Sequence, residues 1–212
     1  MRLVADALTF AHPGHPTLLD GVLLDAQVGE SVAVVGPSGS GKTTFLALLG
    51  GLLRPQSGRV VLDRDGEELP VAEHVSWVLQ TVNVLADRSV IDNVAVGAFA
   101  DGLDRATATA RARTALAAVG LAGTDERLVR TLSGGEAQRV VIALAAVSDR
   151  PVLLADEPTG QLDQDTSAHV IDALLASAAA KITVVVTHDP AVAARCSRIL
   201  VLGAGHLAAR TR

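Results

Sequence analysis

The eight residues Gly36-Pro37-Ser38-Gly39-Ser40-Gly41-Lys42-Thr43 fit the pattern G-x-x-x-x-G-K-[ST] and constrain the chain more than any other stretch. They stand between Ser31–Val35 (SVAVV), which reads as a buried strand, and Thr43–Leu49 (TTFLALL), whose apolar residues recur at helical spacing. A strand that turns through glycines into a helix aims backbone N–H groups at one point. The positive end of the helix dipole reinforces them, so the loop is built to hold phosphate. The glycines permit approaches that a Cβ would block, Lys42 reaches toward β and γ phosphates, and the Thr43 hydroxyl suits Mg²⁺. Thr44 follows in the same helical turn and joins the phosphate-facing set.

The 212 residues can bury a sizeable core. With 18 basic and 23 acidic residues, net −5, and no block of like charge, a sequence-general nucleic-acid surface is disfavoured. A hydrophobic content of 49% raises the question of a membrane span, but no uninterrupted apolar run of about 20 residues exists. The most apolar region, Val170–Val186, carries Asp172 and Lys181 and divides into a helix-like half and a β-branched half. Arg2 is followed by Asp6 rather than an apolar stretch, so no signal peptide is read and a cytosolic chain is expected. Cys196, the only cysteine, reads as a buried structural thiol.

Three short strands are read early, in Arg2–Phe10, in Val22–Ala26 after breaks at Pro16 and Gly21, and in Gly58–Asp63, together forming a small antiparallel layer. Val75–Leu79 is a further buried strand. From Val82 to about Arg130 the pattern turns helical, with Ser89 and Asp104 as N-caps, and is read as an insertion. A helix follows Ser133-Gly134-Gly135 to about Val147. Beyond Pro151 come a strand at Val152–Ala155, a helix at Asp163–Ala179, a strand at Ile182–Thr187, a short helix opened by Pro190, and a last strand at Ile199–Leu202 turning at Gly203–Gly205. Alternating strands and helices imply an α/β fold with a mostly parallel sheet.

The run Val152-Leu153-Leu154-Ala155-Asp156-Glu157 ends four apolar residues in two acids, at the carboxyl end of a strand where open α/β sheets place ligands. Asp156 suits Mg²⁺, directly or through water, and Glu157 suits deprotonation of an attacking water. A third segment, Leu132-Ser133-Gly134-Gly135-Glu136-Ala137-Gln138-Arg139, is at least a serine-capped helix start.

LSGGEAQR between a GPSGSGKT loop and a LLADEP strand resembles the nucleotide-binding domain of ATP-binding cassette (ABC) proteins, in order and spacing over essentially the whole chain. The resemblance implies a P-loop NTPase core, at about 1–81 and 140–212, with an N-terminal antiparallel β layer and a helical subdomain inserted at about 82–139. It also implies that Ser133, Gly134 and Gly135, a second anion site at a helix N-terminus, face the γ-phosphate held by an opposite subunit. Gln80 matches the family's Q-loop glutamine, which senses Mg²⁺ and water; His188 matches the switch histidine at the γ-phosphate; Asp163 matches the D-loop aspartate, whose other role is a helix N-cap. For stacking on adenine, Phe10 is the candidate by its distance from the loop, with His12 as the runner-up.

Within the family, DEPTGQLD (156–163) and Ile91-Asp92-Asn93-Val94 look most like the group that energises lipoprotein release, peptide or antibiotic efflux, and cell-division complexes. The implied protein is a bacterial transporter's cytosolic ATPase subunit, peripheral at the inner face of the membrane. It would dimerise on ATP and Mg²⁺, with itself or a paired subunit, and drive an integral membrane permease, with no nucleic-acid partner. The alternative is a soluble ABC ATPase of cofactor assembly.

Overall fold

The computed structural model describes residues 1–79 and 83–209. The chain opens with strands β1 (Arg2–Ala11), β2 (Thr17–Gln27) and β3 (Ser31–Val35), followed by helix α1 (Lys42–Leu49) and strands β4 (Ser57–Arg64), β5 (Glu67–Leu69) and β6 (Val75–Val78). Three helices come next: α2 (Val90–Ala100), α3 (Arg105–Ala118) and α4 (Gly134–Val147). The chain then runs through β7 (Val152–Asp156), α5 (Gln164–Ser177), β8 (Ile182–Val186), α6 (Pro190–Ala193), β9 (Arg198–Gly203) and β10 (His206–Ala209).

Two sheets result. The antiparallel one has the order β2-β1-β4-β5; the other has the order β10-β9-β3-β8-β7-β6, parallel except for its β9–β10 hairpin. The anticipated antiparallel layer is present, with β5 added and β2 beginning at Thr17 rather than after Gly21.

The parallel sheet separates two apolar cores, and its central strands serve both. Val152 and Leu154 of β7 pack with Phe45, Leu62 and Val184 between the two sheets and α1. Leu153 and Ala155 of the same strand pack on the other face with Val94, Leu116, Ile142 and Ile171 of the helices. A strand buried on both faces must be apolar throughout, which is why β7 reads as a continuous hydrophobic run. Each large aliphatic side chain so buried contributes roughly 1.5–3 kcal/mol. The helical layer is tied to the sheet through α4, which packs on α2, α3, α5 and β6 and runs unbroken across residues 139 and 140.

Strand β1 carries a bulge with consequences for the site. Up to Ala5 the odd residues Leu3 and Ala5 are buried; after Ala7, held at φ 48°, the even residues Leu8 and Phe10 are. The pairing with β2 shifts between Ala5 and Leu8, as one extra residue reverses which side chains face the core. Opposite the bulge only glycine fits at position 58, where a Cβ would meet the Asp6 and Ala7 carbonyl oxygens at 2.3 and 2.4 Å.

Candidate nucleotide site

The carboxyl ends of β3, β7 and β8 lie side by side and deliver the functional segments to one cleft. From β3 the chain passes into the glycine loop. Gly36 has no room for a side chain, because a Cβ there would sit 2.2 Å from the Leu202 carbonyl oxygen. Gly41, at φ 95°, caps α1 in a left-handed conformation that leaves the helix's first N–H groups open. The Lys42 Nζ donates to the carbonyls of Gly36 and Pro37 at 3.0 Å each, which folds its head group back over the loop.

From β7 come the two acids. Asp156 is buried, and the Thr43 hydroxyl hydrogen-bonds to it; burial pushes its carboxyl above the ordinary 3.8, against the lowering by Thr43. Glu157 adopts φ 47°, a left-handed conformation that costs a non-glycine residue of order 1 kcal/mol and that clusters at functional positions. Its N–H donates to the Val186 carbonyl of β8 at 2.9 Å, which aims the side chain across to the residue beyond that strand. There His188 Nδ1 and Glu157 Oε1 lie 2.8 Å apart, and the His188 backbone N–H donates to Oε2 at 3.3 Å. The carboxylate is largely buried while the imidazole is 76% exposed, so the pair spans the cleft wall and its opening.

These groups surround a cavity of about 700 Å³, lined by Gly36, Ser38, Gly39, Gly41, Lys42, Thr43, Thr44, Asp156, Glu157 and His188, together with His12, Leu18, Gly160, Gln161 and Val186. Ser133, Gly134 and Gly135 do not line it. Ser133 caps α4 in a reciprocal box: its Oγ accepts from the Glu136 N–H at 3.2 Å, and its own N–H donates to Glu136 Oε2 at 2.8 Å. Within one chain the start of α4 lies close to the segment that follows Glu157. A Cβ at Gly134 would stand 3.2 Å from Gln161 Oε1, and buried Gln138 Nε2 donates to the Pro158 carbonyl at 2.9 Å.

Residues 19–160 match the ABC transporter family. The chain belongs to that family. It is 44% identical over 205 residues to the lipoprotein-releasing system ATP-binding protein LolD of Chromohalobacter salexigens, covering 92% of this chain and 86% of that protein. It is 38% identical over 199 residues to the macrolide export ATP-binding/permease protein MacB of Chromobacterium violaceum, covering 90% of this chain but 31% of the relative. Among solved structures it is similar to a dimeric post-hydrolysis state of the ATP-binding cassette MJ0796 bound to ADP and Pi, with TM-score 0.84, 30% identity, and coverage of 97% and 96% of the two chains. The protein is thus an ABC ATPase in fold and family, and it binds ATP.

The ABC cassette brings together most of the residues anticipated from sequence. Phe10 is the correction. The bulge in β1 turns it inward, where it is 8% exposed and packs in the core between the sheets. His12, two residues on and named only as the runner-up, lines the cavity instead, its ring edge-on to Phe10 with centroids 4.9 Å apart and its Nε2 3.4 Å from Thr44 Oγ1. Asp163 caps α5, accepting from the Thr166 N–H at 2.9 Å and hydroxyl at 2.8 Å. Gln80 lies outside the described residues. Cys196 is half-buried with its thiol pushed up to about 11 by burial, which suits a packing role and no nucleophilic one. Gln161 and Gln138 were not singled out from sequence; Gln138 was legible only as an interior position of a capped helix, because its partner is 20 residues away.

Proposed function

We propose that this ABC ATPase works as a dimer closing two nucleotides head to tail, each held by the glycine loop of one subunit and covered by Ser133, Gly134 and Gly135 of the other. The observation that carries the reading is the separation just described. One chain assembles Lys42, Thr43, Asp156, Glu157 and His188 around a cavity and leaves its second anion-facing terminus off it. Lys42 and the loop N–H groups hold the β and γ phosphates. Glu157 accepts a proton from the attacking water while His188 orients its carboxylate and Lys42 stabilises charge at the γ-phosphate. His12, at the cavity wall, is the candidate to hold the base.

The donor set near Thr43 suits Mg²⁺: a hydroxyl and a buried carboxylate whose ionised form lacks a neighbouring cation strong enough to offset its burial. Thr43 and Asp156 would hold the ion, with Gln80 as the family's third candidate. Bound there, it would neutralise phosphate charge.

The relatives named for lipoprotein release and macrolide export support a transport role with an integral membrane permease, the chain lying at the cytoplasmic face. Among the described residues no helix is long and apolar enough to cross a membrane. The subdomain at about 82–139, with α4 as its link to the core, would receive that partner. A cleft of about 640 Å³ beside α2 supports this, since exposed Leu85, Val96 and Phe99 line it together with charged Arg88, Asp92 and Arg105. Capture of the chain from detergent-solubilised membranes tests the role: a multi-span membrane protein should copurify, and partners found only in the soluble fraction would favour a cofactor-assembly ATPase.

A further inference from the structure

The cap of α4 creates an electrostatic problem that a residue outside the signature segment solves. Using Ser133 Oγ as an acceptor leaves its hydroxyl proton free to donate, and the first helical N–H groups, at Gly134 and Gly135, have no acceptor within the helix. Three donors therefore remain unmatched within the helix. The same box, however, brings the Glu136 carboxylate to this terminus, 2.8 Å from the Ser133 N–H. A carboxylate one turn from an incoming phosphate repels it.

Arg127 meets that carboxylate from the loop before α4. Its Nη1 donates to Oε1 at 2.8 Å and its Nη2 approaches Oε2 at 3.5 Å, while Nη2 also donates to the Thr131 carbonyl at 3.3 Å. The backbone beneath it is fixed on both sides: its N–H donates to the Thr124 carbonyl, and its own carbonyl accepts from the Val90 N–H at the start of α2. The other cation of the segment, Arg139, is committed elsewhere, donating to the Val119 and Gly120 carbonyls at the end of α3. Among the described residues Glu136 has no second salt-bridge partner. The pairing with Arg127 holds the carboxyl down at about 2, so it stays ionised and matched near neutral pH. The pair is partly exposed, so its contribution to fold stability is modest.

We infer that Arg127 is a positioning residue of the composite site: it neutralises the capping carboxylate of Glu136, so that the Ser133, Gly134 and Gly135 donors meet a partner's γ-phosphate without a negative charge beside them. This rests on the head-to-tail reading proposed above. The test uses the Glu157→Gln chain, in which ATP-bound dimers should persist, and reads the protein concentration at half-dimerisation by light scattering with ATP. Binding of a fluorescent ATP analogue to the monomer is measured alongside. Adding Arg127→Gln should raise the half-dimerisation concentration about tenfold, the order expected of one uncompensated charge near an anion, with monomer affinity unchanged. Adding Glu136→Gln as well, which keeps the cap but removes the charge, should restore it. No effect of Arg127→Gln would overturn the inference, and a defect that persists in the double variant would make Arg127 a packing residue. Failure of the Glu157→Gln parent to dimerise would overturn the composite site, and this inference with it.

Discussion

At Lys42 the phosphate-facing loop hangs from the carboxyl ends of buried parallel strands, whereas at Ser133 the second anion-facing terminus begins a helix of the outer layer. The first region is held under tension. Asp156 is buried with its carboxyl pushed up, Glu157 sits at positive φ, and Lys42 rests on its own loop's carbonyls. The second region is braced yet keeps open donors: its cap is reciprocated and its acid paired to Arg127, while the Gly134 and Gly135 N–H groups have no acceptor within the helix. The contrast teaches a division of labour. Backbone strain and a destabilised carboxyl are gathered in the cleft, whereas the capping carboxylate at the head of α4 is matched in place.

Four variants test that contrast in descending size of effect. Glu157→Gln should lower ATP turnover by at least about a hundredfold while leaving nucleotide affinity near that of the parent, read by phosphate release; turnover close to the parent's would take the base away from this position. Gln138→Leu cuts the tie between α4 and the strained cleft. It leaves the buried Pro158 carbonyl unmatched but also removes the unpartnered Gln138 Oε1, so the net cost in urea unfolding should be about 1 kcal/mol, and a change below about 0.5 kcal/mol would mean that the two regions are not joined there.

The smallest effect separates the acids by sign. The folded pKa of Asp156 lies above its unfolded value, so its favourable contribution is present below about pH 4 and is lost as pH rises through the folded value. Asp156→Asn should therefore stabilise the ligand-free fold near neutral pH, read as a raised urea midpoint. Glu136 is the reverse case: its folded value of about 2 lies below the ordinary 4.5, so its contribution is present above 4.5 and is lost as pH falls toward 2. Glu136→Gln should flatten that acid limb in pH-dependent unfolding. If both variants move stability in the same direction, the contrast between the regions is wrong.

Much of this architecture was legible because it is local. Ser89, Asp104, Ser133 and Asp163 each cap the helix that their position announced, since a cap needs only residues within one turn. The acids at the end of β7 were legible because a strand buried on both faces leaves an unbroken apolar run before them. Distance from the loop favours Phe10 over His12, but distance along a strand does not say which face a side chain takes, and the bulge turns Phe10 into the core while His12 lines the cavity. The bulge at Ala7 coincides with a tertiary approach of β4 close enough to require Gly58. The start of β2 was missed for a similar reason: Gly21, at φ 60°, stands within the strand at a shift in pairing with β1 rather than ending it. Arg127 and Gln138 join segments by tertiary contact, and no spacing within the sequence marks their partners.

The central claim is that one chain holds two halves of different sites. It is tested most directly by the molar mass of the Glu157→Gln chain in solution, with and without ATP, beside the same chain carrying Ser133→Arg. The account predicts 21.7 kDa without nucleotide and twice that mass with ATP for the first, and 21.7 kDa in both conditions for the second even though it still binds ATP. An ATP-dependent dimer of undiminished stability in the Ser133→Arg chain would contradict it.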